Sequence, residues 1–195
     1  MSVQHGTRND SDLALKIVIA GGFGAGKTTL VGAVSEIEPL TTEARLSDAG
    51  SAVDDLFGVD RKTTTTVAMD FGRITLREGL SLYLFGTPGQ DRFRFLWEEL
   101  TLGALGAVVL ADTRRLADCF AAVDWFEHRG LPFAVAVNRF PGERIVSVEE
   151  VAQALDLQDG TPVLLCDARD RESGRAVLLR LVEHAARART ARLLA

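Results

Sequence analysis

Residues 21–28 read GGFGAGKT and grow out of the apolar run LALKIVIAG at 13–21. The pattern is GxxxxGK[ST], set between a strand-like run and a helix-like one, and no other stretch constrains the chain as tightly. Glycines at this spacing let successive backbone N–H groups curl around phosphate oxygens, and the helix N-terminus adds its partial positive charge. A lysine then reaches the outer phosphates and a hydroxyl ligates a divalent cation. The expected phosphate-binding residues are therefore Gly21, Gly22, Phe23, Gly24, Ala25, Gly26, Lys27, Thr28 and Thr29, with Thr28 also a metal ligand. A merely flexible glycine turn is the alternative, and it leaves the Lys-Thr pair at the helix start without a purpose. The implied ligand is a nucleoside phosphate.

The rest of the chain alternates strand-like and helix-like segments. After a polar stretch at 1–12, read as a loose tail, residues 13–195 read as one domain. A helix is expected over 27–37, and a long polar connection over 38–66 with a short helix near 52–57. Strands at 67–76 and 80–85 flank Arg77-Glu78-Gly79, a hairpin signature. Further on, helical patterns at 91–102, 114–128, 147–156 and 171–194 separate the apolar runs ALGAVVLAD, PFAVAVN and PVLLC. Continuous apolar strands are covered by helices on both faces. The fold class is thus α/β: a six-stranded, mostly parallel sheet with one antiparallel edge strand.

Bulk properties exclude several classes. A net charge of -5 argues against nucleic acid as the main partner. Cys119 and Cys166 stand apart without a CxxC or a nearby His pair, so neither a zinc site nor a disulfide framework is indicated. No run of about 18 apolar residues spans a bilayer. Met-Ser at the start and ARLLA at the end carry no acylation or prenylation signal, and a cytoplasmic location is expected, with peripheral membrane contact only through partners.

Two further blocks decide among phosphate-binding classes. Thr66-Val67-Ala68-Met69-Asp70-Phe71 resembles the threonine-led switch I of small GTPases, and Gly86-Thr87-Pro88-Gly89-Gln90 resembles their switch II turn. The resemblance implies that Thr66 ligates Mg²⁺, that the Gly89 N–H meets the terminal phosphate, and that Gln90 orients the attacking water. It also marks Lys27 as catalytic and Arg61 as an arginine acting in cis, the plainer reading of Arg61 being a solvated loop cation. The family's Mg²⁺-side aspartate is replaced by Gly86, and Asp70 or Asp112 are the two carboxylates that can compensate. The closest likeness is to MglA-like bacterial GTPases of the conservon type. It implies a GDP/GTP switch, with roadblock/LC7-type regulators and sensor kinases as partners.

Base recognition departs from the family. Its Asn-Lys-x-Asp appears as Asn138-Arg139-Phe140-Pro141, so the purine-reading carboxylate is missing. Its Ser-Ala-Lys appears as Asp167-Ala168-Arg169, and the resemblance implies that the Ala168 N–H meets guanine O6. Asn138, Arg139, Ala168 and Arg169 are the expected base-side residues, and Asp167 or Asp170 the possible replacement acceptors. Guanine is the expected base, with adenine or poor selectivity as the alternative. Phe23, in place of the family's glycine, implies slow turnover. Beyond the turn, Phe93, Leu96, Trp97 and Leu100 form a core-facing stripe, whereas Phe95 lies off it and offers a partner contact. Two other readings stay open: a nucleotide-loaded scaffold with negligible turnover, and an ATP-using P-loop kinase.

Overall fold

The computed structural model describes residues 13–46, 65–89, 91–142 and 146–194. Its strands are β1 (Leu13–Gly21), β2 (Leu40–Leu46), β3 (Thr65–Arg77), β4 (Leu80–Gly86), β5 (Gly106–Asp112), β6 (Phe133–Asn138) and β7 (Val163–Cys166). The α-helices are α1 (Lys27–Val34), α2 (Trp97–Thr101), α3 (Phe120–Arg129), α4 (Val148–Ala154) and α5 (Arg171–Leu194). One sheet runs in the order β2-β3-β4-β1-β5-β6-β7. The six expected strands are present, the five from β4 and β1 through β7 running parallel. β3 is reversed, as the hairpin at 77–80 requires.

A seventh strand lies outboard of β3. LTTEARL, expected as part of a polar connection, pairs antiparallel with β3 from Leu40↔Phe71 to Leu46↔Thr65. Its polar residues carry little strand signal of their own, and pairing with the long β3 supplies what propensity does not. The short helix expected near 52–57 and the tail at 1–12 lie outside the described residues.

Alternation along β1 divides the core. Ile17 and Ile19 face the side covered by α1 and α5, where they pack with Leu30, Val31, Leu84, Leu110 and Leu181. Val18 and Ala20 face the other side, with Val109, Phe126, Val135 and Trp97. α1 stops at Val34, earlier than expected, because the Ser35 hydroxyl accepts from the N–H groups of Ile37 and Arg73 and so turns the chain. α4 begins on a reciprocal capping box between Ser147 and Glu150.

Two expected helices are broken. After the switch turn, Asp91–Leu96 forms a 3₁₀ segment before α2. Phe93 and Trp97 are buried as the stripe requires, while Phe95 is 62% exposed. Residues Thr113–Cys119 likewise form a kinked 3₁₀ segment before α3, with Arg115 out of helical conformation. The Asp112 side chain accepts from the Arg114 N–H and starts that segment.

Candidate functional site

The glycine loop links β1 to α1 in the manner expected. Gly24 (φ +77°) and Gly26 (φ +105°) adopt the left-handed region, which reverses successive peptides and makes a concave ring of N–H groups. A side chain at Gly26 would also place its Cβ 2.6 Å from Asn138 Nδ2. Lys27 is buried, and its ammonium donates to the carbonyls of Gly21 and Gly22, each at 2.8 Å. An ammonium has three donors, so one N–H is left for a phosphate. Burial drives the Lys27 pKa down from 10.5 to about 8, against the pull of the Asp70 charge. An arriving phosphate reverses that shift.

Next to Lys27 lies a cavity of about 270 Å³, lined among others by Thr28, Thr29, Asp70, Thr87 and Gly89. Antiparallel pairing of β3 with β4 reaches Phe71↔Phe85 and so sets Asp70 across from Gly86, on the same face. A Cβ built at Gly86 would stand 3.0 Å from both Cβ and Oδ2 of Asp70. The glycine leaves the space that the Asp70 carboxylate fills. Thr28 Oγ1 donates to Asp70 Oδ2 at 2.7 Å, so the hydroxyl of the glycine motif and a buried carboxylate meet in the cavity. The Thr87 hydroxyl oxygen is also buried there, with no hydrogen-bond partner among the described residues. A hydroxyl, a carboxylate and an orphaned hydroxyl around one polar cavity fit hydrated Mg²⁺, a cation that takes one or two protein oxygens and keeps its waters.

Asp112, the other carboxylate considered for this role, is occupied elsewhere. Arg114 binds it at 2.8 and 2.7 Å, and those bonds hold the Asp112 carboxyl below its usual pKa. The Arg114 guanidinium also covers the Phe140 ring at 3.9 Å.

The switch turn sits on the glycine loop. A Cβ at Gly89 would lie 2.7 Å from Lys27 Nζ and 2.9 Å from Phe23 Cα, so only glycine permits this approach. Thr66 stands in β3, in register with Arg45. Gln90 and Arg61 lie outside the described residues.

At the base end, Asn138 is buried and ties two loops together. Its Nδ2 donates to Ala25 O at 2.9 Å, and its Oδ1 accepts from the Ala168 N–H at 3.0 Å. The Ala168 N–H, the donor expected to meet a guanine oxygen, is held by Asn138 here. The replacement carboxylates are also committed. Arg169 chelates Asp167 at 2.9 and 2.7 Å and drives its pKa to about 2. Asp170 caps α5, accepting from the Ser173 N–H at 2.6 Å. Arg139 is exposed, and its N–H donates to Cys166 O at 2.8 Å.

Comparison with known proteins decides the class. The family described as a conserved hypothetical ATP binding protein matches residues 19–188. The chain belongs to that family. Its match covers the glycine loop, both switch-like blocks and the base-side loops, so this is a nucleotide-binding P-loop protein. The uncharacterized protein MJ1339 of Methanocaldococcus jannaschii is 27% identical over 127 residues, 64% of this chain and 70% of the relative. Among solved structures, the G domain of the T. maritima FeoB iron transporter superposes with a TM-score of 0.61 at 17% identity, over 89% of this chain and 99% of that one. The cytosolic domain of the same transporter in a GDP form gives 0.60 at 17% identity, over 89% of this chain and 64% of that one. The fold is that of a G domain. Among the described residues, no helix is long and apolar enough to cross a membrane.

Proposed function

We propose that the chain is a small GTPase, a Mg²⁺-dependent switch that binds GTP, hydrolyses it slowly and signals through partner proteins. The observation that carries this reading is the Thr28–Asp70 pair set against Gly86, which supplies a metal-side carboxylate from the neighbouring strand. Mg²⁺, held on the side of Thr28 and Asp70, would supply positive charge that offsets the charge of the outer phosphates. The chain's own groups do the rest. Ring N–H groups from Gly24 to Thr28 and the free donor of Lys27 hold the phosphates, and Gly89 closes over them. On this reading Gln90, next to Gly89, orients the attacking water, and Thr66 is drawn in when the triphosphate is present.

The guanine assignment is supported by the likeness to a G domain that has a GDP form. A second reading, adenine binding or weak base selectivity, is favoured by Pro141 and by the commitment of Asp167 and Asp170 to Arg169 and the α5 cap. The MglA-like resemblance adds roadblock/LC7-type and sensor-kinase partners, docking on residues 60–71 and 86–100. The exposed Phe95 is the anchor we assign to that contact. Equilibrium binding of GDP, GTP, ADP and ATP with and without Mg²⁺, followed by phosphate release, tests the whole reading. Equal affinity for the two bases removes the guanine assignment, and phosphate release unaffected by Gln90→Ala replaces the switch with a loaded scaffold.

A further inference from the structure

The segment after β5 carries a second feature that the sequence does not announce. Thr113–Cys119 lies along the outer side of the glycine loop, with Asp118 packed on Gly22 so closely that a Cβ there would come within 2.6 Å of the Asp118 Cβ. Arg115, the residue at which that segment leaves helical conformation, sends its guanidinium to the Phe23 carbonyl, to which it donates. The same guanidinium nitrogen stands 3.4 Å from where a Gly24 side chain would begin. Asp118 is 3.8 Å from Arg115 Nε and braces it in this pose.

The geometry has a direct consequence for the phosphate site. In a trans peptide the C=O and the N–H point in opposite directions. Fixing the Phe23 carbonyl outward, onto Arg115, therefore turns the Gly24 N–H, at the opposite edge of the same planar peptide, away from Arg115 and toward the phosphate ring. Glycine at 24 leaves this peptide free to rotate, and Phe23, 66% exposed, gives it no packing anchor. A charged donor on the carbonyl also polarises the peptide and strengthens its N–H as a donor. We infer that Arg115 is a positioning residue for the phosphate loop: a clamp on the Phe23–Gly24 peptide that presets one N–H of the cradle before the nucleotide arrives. The inference rests on nucleotide binding at this loop, and does not depend on the choice of base.

The half-exposed position of the Arg115 side chain makes its replacement compatible with folding. The experiment is calorimetric titration of wild type, Arg115→Ala and Arg115→Lys with GTP, and with inorganic tripolyphosphate as a base-free probe, both with Mg²⁺. Each protein is also melted without ligand. Arg115→Ala weakens both ligands about tenfold, the size of one charge-assisted hydrogen bond relayed through one peptide. The ligand-free melting temperature stays within about 2 °C of wild type. Arg115→Lys, which keeps a cationic donor for the Phe23 carbonyl, recovers most of the loss. Unchanged affinities for Arg115→Ala overturn the clamp, as does an affinity loss matched by a fall in ligand-free stability. Slower phosphate release at unchanged affinity also overturns it, by making Arg115 a group that acts on the reacting phosphate. Failure of the wild type to bind either ligand is a different result and overturns nucleotide binding itself.

Discussion

Replacing Asp70 by alanine strikes the metal side of the site. It removes the acceptor of the 2.7 Å bond from Thr28 Oγ1 and the buried carboxylate that faces the cation position. A hydrogen bond to a charged group contributes about 1.5–3 kcal/mol, so Mg²⁺-dependent GTP affinity falls about 10- to 100-fold. With EDTA in place of Mg²⁺, wild type and variant bind nearly alike, because the lost group acts through the cation. Gly86→Asp alone is also harmful. Its Cβ would sit 3.0 Å from Asp70, and two carboxylates about 4 Å apart repel by roughly 4 kcal/mol at an effective dielectric of about 20. The double variant Asp70→Ala/Gly86→Asp removes the charge repulsion and returns one carboxylate to the same space from the other strand, while the Cβ of residue 70 keeps its 3.0 Å approach. It therefore recovers part of the Mg²⁺-dependent affinity that each single variant loses. Calorimetric titration of the four proteins, with and without Mg²⁺, closes the cycle. An Asp70→Ala loss of equal size in EDTA, or simple additivity of the two substitutions, refutes the assignment.

Other consequences follow from the same geometry. The lowered Lys27 pKa predicts that nucleotide affinity declines above about pH 8, where the free protein's ammonium loses its proton; titrations from neutral to alkaline pH check this. The unfolded chain holds that proton up to 10.5, so it binds more protons than the folded state between about 8 and 10.5, and ligand-free stability rises with pH across that window in thermal melts. Asn138→Ala leaves Ala25 O and the Ala168 N–H unpaired and costs roughly 2–4 kcal/mol in denaturant unfolding. Asn138→Asp is worse, because it turns an acceptor toward the Ala25 carbonyl. Pro141→Asp supplies a carboxylate at the base end and raises the preference for GTP over ATP by about tenfold or more in competition binding.

How far the sequence foretold the site depends on which interactions are local. The glycine loop is legible because strand, turn and helix start are consecutive in the chain. The metal-side carboxylate is not, because the chain offers both Asp70 and Asp112. Hairpin arithmetic alone misses it by one residue: counting out from Arg77↔Leu80 sets Asp70 opposite Thr87, and only the bulge between Thr75 and Arg77 shifts the register to Phe71↔Phe85 and so brings Asp70 opposite Gly86. β2 escaped because LTTEARL takes its strand character from its neighbour. The break at Arg115 escaped because RRLADCFAAVDWFEH has helical periodicity throughout, and only the contacts of Arg114 with Asp112 and of Arg115 with Phe23 interrupt it.

The two ends of the site are built on different terms. At the phosphate end the groups point into the cavity and keep capacity for a ligand: Lys27 has a donor beyond its two carbonyls, and the Thr87 hydroxyl lacks a protein partner among the described residues. At the base end the polar groups are spent on one another: Asn138 on Ala25 and Ala168, Asp167 on Arg169, Asp112 on Arg114, and Asp170 on the start of α5. On the proposed reading, a pocket arranged this way draws its affinity from phosphate and Mg²⁺ and discriminates bases by what remains, the backbone rim and the shape left by Pro141. Discrimination between triphosphate and diphosphate should therefore exceed discrimination between guanine and adenine. On the proposed reading, such a site works as a switch on phosphate state, with the base as the weaker discriminator.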